Sequence, residues 1–170
     1  MGNPDDAVDD FETWYERVHP RLVTSMLLLA GDLDLARDVV DEAFCRAFER
    51  WRRVAKMASP EGWVYVVAVH DLQRRRVRRR REQDLMRVGA RHPEVTPAVA
   101  SDFEALIDQL PLRQRTAVVL RHVGDLPEKE IAAAMGISRS TVSSTLRDAY
   151  SALRTLLDDR NERVSDDRSA

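Results

Sequence analysis

The stretch EKEIAAAMGISRSTVSSTLRDAY, Glu128 to Tyr150, decides how this chain is read. Ile131, Ala132 and Met135 make a short apolar stripe at helical spacing, and Val142, Leu146, Ala149 and Leu153 make a second one beyond Gly136. A tight connection between crossing helices usually needs a residue in the left-handed region, which glycine enters without a Cβ clash. Ser138 follows where an N-cap belongs. The second helix is therefore expected to begin at Arg139, with Arg139, Ser140, Ser143, Ser144 and Arg147 facing outward. Two helices joined in this way form a helix-turn-helix, whose second helix fits a DNA major groove. An ordinary helical hairpin inside a bundle would carry the same stripes.

Outward from this stretch, composition favours helices throughout. Aromatic content is 6%, charged content is 33%, and alternating β-branched runs are few. The single cysteine, Cys45, excludes an internal disulfide and a cysteine-rich zinc site. The first residues are acidic and carry no signal-peptide pattern, and the run Met26 to Ala30 is far too short to span a bilayer, so a cytoplasmic protein without membrane insertion is expected. A formal net charge of −2 hides a segregation: residues 1–53 carry −5, residues 54–93 carry +6 and residues 94–170 carry −3. An acidic first part suits a basic protein surface, and a basic middle suits a polyanion.

Along the chain, residues 1–8 read as a mobile acidic lead-in. Phe11, Trp14, Tyr15 and Val18 form a stripe closed by Pro20, and Leu22, Met26 and Leu29 continue an apolar face to Gly31. Ala36, Val39, Val40, Ala43, Phe44, Ala47, Phe48 and Trp51 fall on one face of a long amphipathic helix, opposite Asp38, Asp41, Glu42, Arg46 and Glu49. Ser59-Pro60-Glu61 starts another helix, which runs into Arg74, Arg75, Arg76, Arg78, Arg79, Arg80 and Arg81. Like charges four apart cost a helix roughly 0.2 to 0.5 kcal/mol per pair. Neutralisation by phosphates would offset that, and Trp63 and Tyr65 upstream could stack on bases of a single strand. A merely solvated basic run has the same composition.

Residues 83–100 lose periodicity and read as a flexible linker. Ser101 and Glu104 form a capping box opening a helix with Phe103, Leu106, Ile107 and Leu110 inward. Pro111 starts a further helix that ends near Gly124, and residues 158–170 read as a disordered charged tail. The expected fold class is all-α, with two small helical domains, 9–82 and 101–157. Chemistry of an enzyme is missing: His19, His70, His92 and His122 lack metal-ligand spacing, no Gly-rich phosphate loop exists, and no cofactor or metal is expected.

The order of these parts resembles a bacterial RNA polymerase sigma factor of the extracytoplasmic-function group, over roughly Phe11 to Leu157. ARDVVDEAFCRAFERW is similar to the core-binding helix of region 2, and SPEGWVYVVAVHDLQRRRVRRR to its promoter-melting segment. LIDQLPLRQRTAVVLRH and EKEIAAAMGISRSTVSSTLRDAYSALR are similar to region 4. The resemblance implies that Asp38, Val39, Asp41, Glu42 and Arg46 bind the core polymerase, at the β′ clamp with further contact to β. It implies that Trp63, Tyr65, His70, Arg74, Arg75, Arg78 and Arg79 hold the unwound −10 element. At the −35 element it implies Arg139, Ser140, Thr141, Ser143, Ser144 and Arg147. Promoter DNA and an anti-sigma protein are the other implied partners, and no homo-oligomer is indicated. The chain departs from the family in carrying His70 and Arg74 where asparagine and aspartate are frequent, and Ser143 and Thr145 where lysine and arginine are common. A stand-alone helix-turn-helix regulator would explain only the C-terminal half, and an arginine-rich RNA-binding protein only the middle.

Overall fold

A stripe of Val18, Leu22, Met26 and Leu29, all essentially inaccessible, runs unbroken past the proline that was expected to end its helix. In the computed structural model, which describes residues 4–86 and 102–167, α1 spans Pro4–Ala30 with Pro20 inside it. An interior proline costs a helix about 3 kcal/mol. Pro20 faces solvent, its carbonyl accepts a hydrogen bond from Thr24 Oγ1 at 2.9 Å, and burial of the stripe on either side offsets the lost bond. The lead-in expected at 1–8 is likewise helical from Pro4 onward, a proline at the first position sacrificing no helical bond.

Six further helices and one short turn of helix complete the described residues: α2 (Leu33–Glu49), α3 (Trp51–Val54), α4 (Pro60–Met86), α5 (Asp102–Ile107), α6 (Leu112–His122), α7 (Glu128–Met135) and α8 (Arg139–Asp167). The all-α expectation holds. Helix α4 runs three residues past the expected start of the linker at Gln83, and the rest of that linker, like the Ser101 cap, lies outside the described residues. Helix α8 continues to Asp167, through residues expected to be disordered, because each residue added to an existing helix gains a bond without a new nucleus. An Arg160–Asp102 ion pair at 2.6 Å ties that extension back to α5.

Helices α1, α2 and α4 pack together, as do α6, α7 and α8. Buried residues Val39, Val40, Ala43 and Phe44 of α2 meet the α1 stripe, and Phe11, Trp14, Tyr15, Phe44, Phe48 and Trp51 form a ring cluster at one end. Phe48 is an exception to its stripe: it is 54% exposed, lying edge-on to Phe11 at the cluster's rim. Phe103 also stays exposed, on a six-residue helix that packs against α8. Asp32 caps α2, accepting from the Leu35 backbone N–H at 2.9 Å. That bond, aided by Arg79 at 3.1 Å, holds its carboxyl below the usual range despite partial desolvation. Replacement of Asp32 by alanine is expected to cost about 1 kcal/mol in urea unfolding at neutral pH. Because the folded-state value is lowered, this stabilisation is present above the ordinary carboxylate range and lost as pH falls through it. Parent and variant should converge in acid.

The two helical groups are not separate beads. Helix α4 packs against α7 and α1 against α6, and one buried core joins them. Tyr65 on α4 is 1% exposed, with its hydroxyl 3.3 Å from Ser25 Oγ on α1. Its ring lies so close to Gly124, in the connection after α6, that a Cβ there would stand 3.0 Å from the ring and 2.8 Å from the Leu120 carbonyl. Only glycine permits that approach. Around it, Arg21 of α1 reaches Glu61 at 3.3 Å and Asp125 at 3.9 Å. A cavity of about 400 Å³ lies between the two helical groups, lined by Leu29, Val69 and Leu72 on one side and Thr116, Met135 and Ile137 on the other.

Candidate nucleic-acid and polymerase-binding surfaces

Gly136 ends α7 in the left-handed region (φ 65°), its N–H returning to the last turn, and Ser138 Oγ accepts from the Thr141 N–H at 3.1 Å. Helix α8 thus begins at Arg139, as the local sequence requires. Val142, Leu146 and Ala149 face the core, leaving Arg139, Ser140 and Arg147 exposed and Thr141, Ser143 and Ser144 half-buried. Much of the polar chemistry of this face is turned inward. Thr141 Oγ1 pairs with Ser138 at 2.7 Å, Ser144 donates to the Thr141 carbonyl at 3.0 Å, and Ser143 donates to Glu128 Oε2 of α7 at 2.7 Å. Arg139 reaches the same carboxylate through Nε at 3.4 Å. The Ser143 hydrogen bond, followed by that of Arg139, holds the Glu128 carboxyl below its ordinary range against some desolvation. Glu128 has no counterpart among the residues expected to act here. Its signal in the sequence is a carboxylate eleven residues before Arg139, legible only once the two helices are known to cross.

Helix α4 presents three sides. Val64, Ala68 and Asp71 face inward with Arg75, which donates to Asp71 Oδ2 at 2.7 Å and reaches Asp38 of α2 at 3.3 Å. Tyr65, Val69 and Leu72 turn toward the other helical group, and Arg76 donates to the Leu29 carbonyl. Half-buried Trp63 and exposed His70, Arg74, Arg78 and Arg81 lie along the outward side at spacings of seven, four, four and three residues. With the helical groups together Tyr65 is covered, and it lies two residues, or some 200°, from Trp63, so the two rings do not share a face. Arg75 and Arg79 are also partly committed, to Asp71 and Asp38 and to Asp32 respectively. Arg81, absent from the expected set, joins the outward stripe, and helical spacing from Trp63 would have found it.

On α2, Asp38 and Asp41 are exposed, and Glu42 and Arg46 pair with one another at 2.7 Å. Val39 is fully buried, so it serves the core of the fold rather than a partner. Exposed Cys45 lies between Asp41 and Glu49 on this face. The Tyr15 phenol beside it is pushed up by burial first, then by the charges of Asp41 and Cys45. Among the described residues, no group of three or more His, Cys, Asp and Glu is placed to hold a metal, and no helix is long and apolar enough to cross a membrane.

Residues 14–82 match the Sigma-70 region 2 family, and residues 101–153 match Sigma-70, region 4. The chain is 31% identical over 140 residues to the ECF RNA polymerase sigma factor SigE of Mycolicibacterium smegmatis, covering 76% of itself and 54% of that protein, about half its length. To the RNA polymerase sigma-E factor of Streptomyces avermitilis it is 28% identical over 156 residues, with 89% and 87% of the two chains covered. Its fold is similar to that of the sigma factor RpoE of Bartonella quintana, solved in complex with the anti-sigma factor NepR (TM-score 0.74, 23% identity, 88% and 97% of the chains). A second similar fold is that of CnrH, solved with the cytosolic domain of CnrY (TM-score 0.57, 21% identity, 87% of each chain). With both regions present in order and spanning most of its length, the chain belongs to the sigma-70 family of RNA polymerase sigma factors, in its extracytoplasmic-function group.

Proposed function

We propose that this protein is a promoter-specificity subunit that binds the core of RNA polymerase through α2, holds the opened −10 element along α4 and reads the −35 duplex with α8. The observation that supports this is the presence in one chain of two unlike surfaces, each of a chemistry suited to nucleic acid. One is an outward stripe of Trp63, His70, Arg74 and Arg78, an aromatic and cationic combination suited to a single strand. The other is a helix-turn-helix, suited to a duplex. The excess of acid at Asp38 and Asp41 suits a basic partner surface on the polymerase. No bond chemistry is asked of the protein; it positions the polymerase and stabilises open DNA.

Simultaneous contact with both elements requires the two helical groups to part. Their centres on DNA lie about 25 base pairs apart, roughly 80 Å at about 3.4 Å per pair. A closed chain of 170 residues has a radius of gyration of only about 16 Å. The fifteen residues 87–101 can bridge at most about 50 Å by their number alone, and the extent of the two helical groups themselves would have to supply the rest.

Run-off transcription with sigma-free core polymerase on a genomic fragment library tests the proposal, with RNA starts sequenced. Starts sharing two spaced upstream motifs are expected. Failure to bind core, together with a tight dimeric DNA site, would instead establish a stand-alone helix-turn-helix regulator.

A further inference from the structure

A hydroxyl group has one proton to give and two lone pairs to receive with. At Ser143 that single proton has two acceptors in reach inside the protein, Glu128 Oε2 at 2.7 Å and the Arg139 carbonyl at 3.3 Å. The shorter bond, to a charged oxygen, is the stronger. Either way the donor is spent, and what Ser143 can offer to a ligand is lone pairs. Glu128 itself, half-buried at the start of α7, is ionised and can only accept. Arg139, one turn before Ser143, has a side chain 75% exposed and meets this carboxylate through Nε.

Bases in the major groove differ in the same terms. Adenine N6 and cytosine N4 present donors, whereas guanine O6 and N7 and thymine O4 accept. A serine with a free proton can satisfy either kind and discriminates little. A serine whose proton is captured cannot serve a guanine or thymine edge.

We propose that Glu128 is a specificity-determining residue for the duplex element: by capturing the Ser143 proton it makes this part of α8 an accepting surface that selects adenine or cytosine on the contacted strand. This rests on the function proposed above, with α8 in the major groove. Glu128 acts through Ser143, so it is a positioning residue for base readout, while the adjacent Arg139 supplies donors to guanine or to phosphate. The carboxylate also lowers affinity for any DNA by repelling phosphates, which distinguishes its charge from its hydrogen bond.

The test uses the full chain with core polymerase on a promoter library randomised across the upstream element, sequencing the templates that yield RNA. The native protein should show one position favouring adenine or cytosine over guanine and thymine by roughly two- to ten-fold, the range of one hydrogen bond. Glu128→Ala should still support initiation with that preference reduced to less than twofold. Ser143→Ala should lose it at the same position, and covers the case in which Glu128→Ala does not fold, as judged by thermal melting. Glu128→Gln, which removes the charge but keeps an accepting oxygen, should retain most of the preference while binding DNA more tightly at low salt. An unchanged base preference in a folded, initiating Glu128→Ala protein would mean that Glu128 only staples α7 to α8, and would overturn the inference. So would a native profile with no such position. Absence of any starts from the native holoenzyme would sink the proposed function first, and this inference with it.

Discussion

Replacing Tyr65 by alanine should lower the free energy of unfolding by about 3 to 5 kcal/mol, the range for deleting a large buried aromatic side chain. The ring is 1% exposed and lies between α1 and the glycine after α6, where a close-packed interior relaxes only partly around a deleted side chain. Tyr65→Phe should cost less than about 1 kcal/mol, because Ser25 already donates to the Arg21 carbonyl at 2.8 Å and the hydroxyl pair is long at 3.3 Å. Urea titrations of the three proteins measure both. A small effect of Tyr65→Ala would mean that the helical groups do not rest on this ring in solution. Alkali probes the same contact without mutation. Burial, above all, raises the Tyr65 phenol, so its contribution is complete below the free value and fades as pH climbs through the raised one.

The second large effect is on transcription rather than stability. Arg74→Glu combined with Arg78→Glu should reduce promoter opening on the order of 100-fold, with a salt slope shallower by about 1.4, since each phosphate contact on a single strand contributes about 0.7. Truncating Arg74 alone, as Arg74→Ala, should change the fold by less than about 1 kcal/mol, because its side chain is 65% exposed and its pair with Asp71 is long at 3.5 Å. Arg75→Glu should behave in the opposite sense. It would set a third carboxylate against Asp38 and buried Asp71, costing about 1 to 3 kcal/mol after allowance for solvent at the guanidinium. Potassium permanganate footprinting beside thermal melts separates the two outcomes. If both variants lose stability alike, the outward stripe is structural and the DNA role of Arg74 and Arg78 fails.

What the residues disclosed in advance was local. Gly136 and Ser138 announce their turn because the left-handed residue and the cap act within four residues of one another. The stripes of α2 and α8 follow the helical period, and the all-α architecture follows from them. Side assignments within an apolar-aromatic run were harder. Trp63 and Tyr65 look equivalent as neighbouring aromatics, yet one borders solvent and the other is the keystone between helical groups, which depends on Gly124 some 60 positions away. Similarly, Val39 stands among charged neighbours but points inward, and Pro20 looks like a stop until the burial on both sides of it is known. Pairings such as Ser143 with Glu128, or Arg75 with Asp38, were illegible for the same reason: they join separate helices, and only the crossing geometry brings them together.

The contact made by Tyr65 and Gly124 has a thermodynamic consequence for partner binding. If core polymerase and promoter engage the parted chain, their apparent affinity is the intrinsic one multiplied by the fraction of molecules already parted. A closed state favoured by about 2.7 kcal/mol leaves roughly one chain in a hundred competent and weakens apparent binding about 100-fold. On that reading, every substitution that loosens the tyrosine–glycine contact is also a change in how readily the chain competes for polymerase, although it lies apart from the exposed faces of α2 and α8 and the outward side of α4.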